Sequence, residues 1–248
     1  MTRFGSKSGG FAAGLFALFF LIAASGVARA SSFSVSPIRV TISRDQPTAT
    51  VHLQNRSSTP TVVQLSLKAW TQKDGKDVYS DTRDLVATPP IFTIPAGHEQ
   101  VVRIGLRHKS DSQTERAYRL FLTEIPPPPK PGFRGLRFAL KVGLPVFVPP
   151  PGVAQAKLEW SADRPKPGQI ALHVMNAGNA HAHITHVALS APGASKPFYS
   201  SNGGYALAGK ELTWTVEHTS KAISDISDID ITAQTDNGPV HAHLTIKK

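Results

Sequence analysis

Ten histidines occur in this 248-residue chain, and two pairs are spaced so that both imidazoles would leave a strand on one face: His181-Ala-His183 and His241-Ala-His243. Two neutral imidazoles on one face make half of a zinc or copper site. No acidic or sulfur ligand accompanies either pair closely, His186 falls on the opposite face from the first pair, and the methionines are only Met1 and Met175. The pairs therefore read as solvated strand-face histidines, with a His-based metal carrier as the lesser alternative, and no metal or cofactor is expected. Asp225, Asp228 and Asp230 cluster, but without the glycine and glutamate of a calcium loop they decorate a strand and turn. Catalytic spacing is missing too: there is no Gly-x-Ser-x-Gly elbow, no His-Glu-x-x-His and no Gly-rich phosphate loop. Cysteine is absent, which removes thiolate chemistry and disulfides together. The chain does not read as an enzyme.

Backbone chemistry is the better lead. From Leu136 to Val148 every even position is apolar: Leu136, Phe138, Leu140, Val142, Leu144, Val146 and Val148. That period of two predicts one long strand, roughly twice the usual length, with a continuous apolar face. Pro145 lies on the other face and has no amide proton, so the strand is expected at a sheet edge, at least there. A bare apolar edge invites aggregation unless its purpose is to pair with another chain.

The elements around this edge read as all-β. Strands are expected near residues 33–42, 49–55, 62–70, 91–94, 100–106, 117–125 and 136–148, then 156–160, 169–174, 182–189, 213–216, 229–233 and 240–246. Turn residues fall at Ser43–Pro47, Asn55–Pro60, Lys73–Lys76, Pro95–Gly97, Pro165–Gly168, Asn176–Asn179 and Ser201–Gly204. In the first strand Phe33 and Val35 are odd but Ile38, Val40 and Ile42 are even, so Pro37 marks a bulge or a crossing between sheets. The fold expected is two immunoglobulin-like β-sandwiches, residues 31–148 and 153–248, joined by a stiff proline linker at 149–152.

Residues 1–30 have the build of an export signal: Arg3 and Lys7, an apolar run from Phe11, and Ala28-Arg29-Ala30 for cleavage. The run is shorter than the ~20 residues that span a bilayer comfortably. The formal charge is +10, reduced by three when that segment leaves. The excess favours acidic partners, but the basic residues are scattered singly and carry no nucleic-acid signature.

Four stretches, Ala87-Thr-Pro-Pro-Ile-Phe92, Pro95-Ala-Gly97 followed by Gln100–Ile104, Tyr118–Pro127 and Leu136–Val148, together resemble the PapD-like periplasmic chaperones of pilus assembly. The resemblance implies two immunoglobulin-like domains in a boomerang arrangement. It also implies a chaperone that lends a strand to pilus subunits lacking one and delivers them to an outer-membrane usher. Leu136, Phe138, Leu140 and Val142 would then enter the subunit's groove. In the family an arginine on the first strand and a lysine on the lending strand hold the subunit's terminal carboxylate. Arg39 stands at the first position, whereas Pro145 stands at the second, a departure similar to the archaic Csu-like branch. Lys141 and Arg103 are the remaining candidates for the second contact. An arginine of the family's domain junction is likewise replaced, by Pro149, which would leave Glu124 without its usual partner. The rival reading is an exported adhesion or structural module whose edge pairs with its own copy. Self-association of a client-free chaperone fits either reading.

Overall fold

The computed structural model describes residues 33–108, 111–129, 131–132, 134–136, 138–217 and 226–247. The expected export signal, Arg137 and Asp225 lie outside these. Among the described residues there are seventeen strands and no helix, hence no helix long and apolar enough to cross a membrane.

Ten strands build the first unit: β1 (Phe33–Ser36), β2 (Val40–Thr41), β3 (Thr48–Asn55), β4 (Thr61–Lys73), β5 (Lys76–Asp81), β6 (Leu85–Thr88), β7 (Ile91–Ile94), β8 (Glu99–Leu106), β9 (Arg116–Ile125) and β10 (Lys141–Val148). One sheet runs β1-β3-β8-β6; the other runs β2-β10-β9-β4-β5, with β7 also on β4. Alternation along each strand sends Val51, Leu53, Val102 and Ile104 from the first sheet against Val63, Leu65, Leu120, Leu122, Leu144 and Val146 from the second. The face reversal at Pro37 is a sheet crossing: β1 pairs with β3 and β2 with β10. Ile38 departs from its expected buried face. It lies in the bend before β2 and is 77% exposed.

The second unit comprises β11 (Leu158–Asp163), β12 (Gln169–Asn176), β13 (Ala182–Ser190), β14 (Tyr199–Ala206), β15 (Glu211–Glu217), β16 (Asp228–Thr235) and β17 (Gly238–Lys247). Strands β15-β12-β11 and β14-β13-β16-β17 are joined through a two-residue parallel contact between β11 and β17. Ile170, Leu172, Val187, Leu189, Ile229 and Ile231 fill its core. These are two immunoglobulin-like sandwiches.

Both units close a turn with a fully buried asparagine. Asn55 donates to the carbonyls of Thr59 and Ile94 and accepts from the Ser57 amide. Asn176 donates to those of Ala180 and Ala206 and accepts from the Lys157 and Gly178 amides. A Cβ on Gly178 would stand 2.2 Å from the Gln155 carbonyl oxygen, so only glycine admits this close passage.

Three strands escape the hydrophobic pattern. β5 is exposed along its whole length, β6 is four residues, and β14 occupies Ser201–Gly204, where turn chemistry predicts a turn. The largest correction concerns the strand expected over Leu136–Val148, which begins only at Lys141. Its register with β9 explains this. Lys141 stands opposite Thr123, so continuing backwards sets Phe138 opposite Pro126, the first of four prolines that cannot donate to a ladder. Leu136 and Phe138 consequently lie outside any strand, 78% and 80% exposed.

Candidate functional site

β10 has two unequal sides. Along one it pairs with β9 over its full length; along the other β2 covers only Val146 and Phe147. The Glu124 amide donates to the Leu140 carbonyl and the Ile42 amide to that of Phe147. In an antiparallel ladder this parity turns the backbone groups of even residues toward β9 and those of odd residues away from it. Lys141 and Gly143 thus offer both N–H and C=O to the open edge, and Pro145 offers C=O alone. Pro145 costs the β9 ladder nothing, because its missing amide would have faced outward.

The even face carries a graded load. Leu144, Val146 and Val148 are buried in the sandwich core, and Leu140 and Val142 pack partly against it. Of the four groove candidates, then, Leu136 and Phe138 stand free while Leu140 and Val142 lean on their own domain. Glu124 is buried, and its Oε2 accepts from the Leu140 amide at 3.1 Å. Its carboxylate ends the β9–β10 ladder, so the replacement of the junction arginine leaves it well bonded.

Arg39 is not a solvated strand-face charge. Its Nη1 donates to Asp236 Oδ2 at 3.1 Å and its Nη2 lies 3.2 Å from His183 Nδ1, both in the second unit. Arg103 is exposed on β8 of the opposite sheet, where it faces Thr50 and Thr88, so the fold does not bring it to Arg39. Lys141 is exposed and its ammonium stands 4.5 Å from the Phe121 ring centre. It lies on the same outer face as the cleft residues but toward the far end of β10.

The pairing of the two units was invisible in the sequence. Phe147, an odd residue of β10, is fully buried with Trp70 and Leu207. Its ring stacks on His181 at 3.6 Å, and His183 stacks on Tyr205 at 4.2 Å. The Gln72 amide bonds like a strand partner, donating to the Tyr205 carbonyl and accepting from the Leu207 amide. Glu115 receives both the amide and Nδ1 of His181, the latter at 2.6 Å. His181 and His183 are thus seam residues, which corrects their reading as solvated. Burial and the neighbouring Arg39 guanidinium push the His183 pKa down, so its Nδ1 is free to accept from Arg39. His243 is different: exposed, bonded to Asp230 at 2.8 Å, and raised in pKa by that bond. No group of three or more potential ligands able to hold a metal occurs among the described residues.

Arg119 is the functional candidate the sequence did not single out. It is opposite Pro145 on β9, its guanidinium lies 4.0 Å from the Trp70 ring centre and 3.4 Å from the Gly143 carbonyl oxygen, and its side chain is 15% exposed. Only the register of β9 against β10 could have marked it.

Residues 32–154 match the family described as pili and flagellar-assembly chaperone, PapD N-terminal domain. Among solved structures, the pre-assembly complex of CsuC with the tip adhesion subunit CsuE from the archaic chaperone–usher Csu pili of Acinetobacter baumannii contains a similar chain. That match has 22% identity, covers 88% of this chain and 100% of that one, and has a TM-score of 0.66. The Salmonella enterica complex of SafA pilin with the SafB chaperone matches at 21% identity, covering 87% and 98%, with a TM-score of 0.62. The CupB2 chaperone of Pseudomonas aeruginosa matches at 16%, covering 85% and 98%, with a TM-score of 0.54. No curated protein matches the chain in sequence.

Proposed function

We propose, from the premise that this chain belongs through residues 32–154 to the PapD-like chaperones of pilus assembly, that its open β10 edge is the surface it lends to its clients. The clients are pilus subunits one strand short, capped in the periplasm and passed to an outer-membrane usher. The observation that carries this is the edge itself. Lys141, Gly143 and Pro145 have no strand on their outer side among the described residues, while Leu136 and Phe138 stand exposed just ahead of them. A subunit strand would gain backbone bonds from the odd residues and apolar cover from the even ones. At ~25 cal/mol per Å², each large side chain so buried is worth on the order of 2 kcal/mol before ordering costs.

Nothing in this role requires catalysis; the chain works by occupying a groove and then leaving it. Residues 1–30 serve as its export signal. Without a client, two copies shield their edges against each other.

Co-expression with a pilus subunit tests the reading. The subunit should survive proteolysis only with the chaperone present, and Leu136→Asp with Phe138→Asp should abolish the protection. Unimpaired protection by that double variant would refute the edge as the lending surface.

A further inference from the structure

The last strand of the second unit has an edge built like that of β10. β17 pairs with β16 from Gly238 to Thr245, while on its other side β11 joins it only at Ile246 and Lys247. The Ile246 amide donates to the Ser227 carbonyl and the Lys247 carbonyl accepts from the Arg164 amide, so even residues of β17 bond to β16 and odd residues face away from it. His241 and His243 therefore offer both N–H and C=O to an edge that β11 has not yet reached. Nothing blunts this edge. Neither a lysine nor a bulge interrupts it between Pro239 and Ile246, and Val240, Ala242 and Leu244 lie half-buried along its inner face.

The outer face decides what fits there. His243 Nδ1 bonds to Asp230 Oδ1 at 2.8 Å, and His241 Nδ1 lies 3.4 Å from Thr232 Oγ1. Both contacts come from β16 and leave Nε2 as the free nitrogen of each ring. Metal-ligating imidazoles are held in this way, with an oxygen on one nitrogen fixing the tautomer and making the other more basic. One chain supplies two such nitrogens, half of a tetrahedral set. Antiparallel pairing of β17 with β17 of a second copy, centred on Ala242, supplies the other half. It sets His241 opposite His243 of the second copy and the reverse, and likewise Val240 opposite Leu244 on the inner face. The four imidazoles then form a block about 5.5 Å across the strands and about 7 Å along them. Two Asp230 carboxylates, one from each copy, flank the block and balance the charge of a divalent cation.

We propose that β17 joins two copies of the chain edge to edge, and that His241 and His243 of both copies ligate one zinc ion between them. The site is incomplete without the second copy, and it goes beyond the chaperone reading because it uses no residue of β10. Pairing over so few residues buries too little to hold a dimer by itself. The ion completes the interface, so association follows the metal.

The full chain carrying Leu136→Asp and Phe138→Asp, which removes shielding through β10, is titrated with zinc chloride and followed by sedimentation velocity. It should be monomeric in EDTA and dimeric at one zinc per two chains. Cobalt in place of zinc should show the strong visible bands of a tetrahedral centre and saturate at the same ratio. His241→Ala and His243→Ala should each abolish the dimer, and Asp230→Asn should weaken zinc binding about tenfold or more. His186→Ala, which alters a β13 histidine outside the block, should change neither. Absence of zinc uptake, uptake of one zinc per chain without association, a dimer that persists in EDTA, or a zinc dimer indifferent to His243→Ala would each overturn the assignment.

Discussion

Phe147 shows how one residue can serve two domains. Its neighbours Val146 and Val148 fill the first sandwich, while its own ring, on the opposite face, joins Trp70 and Leu207 between the units. Truncating a fully buried aromatic costs ~3–5 kcal/mol, and Phe147→Ala should lose that much in chemical denaturation, with coupling between the sandwiches lost as well. A second prediction concerns His183. Burial and Arg39 depress its pKa below the ordinary 6.5, so its contribution to stability is complete above pH 6.5 and is lost as pH falls through the depressed value. Protonation would add a charge facing Arg39, Arg119 and His181, with only Asp236 to compensate. His243 has the opposite sign, because its raised pKa contributes at low pH and is lost as pH rises. Melting curves from pH 8 to pH 5 should therefore fall more steeply for the wild type than for His183→Asn; parallel slopes would remove His183 from the seam.

At the scale of the strand, the even-position run from Leu136 predicts the apolar face that Leu140 to Val148 turn to the core, but not where the strand begins. Period two cannot say where a partner ends, and β9 ends functionally at the prolines after Ile125. What results is an eight-residue strand with an apolar lead-in that lacks one. That distinction predicts an asymmetry. Leu136→Asp and Phe138→Asp, both on exposed side chains, should change stability by less than about 0.5 kcal/mol while abolishing capture. Leu144→Asp, with the same alternation but inside the core, should prevent folding. Gly143 supplies a further check, since a Cβ there would meet the Phe121 ring at 3.1 Å. Gly143→Val should disturb the outer face between Lys141 and Arg119 and weaken client binding more than it lowers the melting temperature. The crossing at Pro37 was legible because a change of parity has only a few geometric causes. β5 was not, because an exposed strand has no apolar face to announce it.

For the whole molecule, composition and turn spacing were enough to read two sandwiches, since each has its own alternating core. Their mutual contact was not readable: Gln72, Glu115, His181, Tyr205 and Asp236 are polar or aromatic residues far apart in sequence, and no periodicity links them. The seam has a mechanical consequence. It fixes Arg39, at the end of the open edge, against the second unit, so a client bound along β10 as proposed would meet both sandwiches at once. The proposed lending of β10 requires its outer backbone to be vacant until a client takes it. Amide hydrogen exchange residue by residue tests this most directly. In the free monomer Lys141 and Gly143 should exchange fast while Val142 and Leu144 are slow, and binding of a pilus subunit should slow Lys141 and Gly143 together. Protection of both amides in the free monomer, or unchanged exchange in the complex, would contradict it.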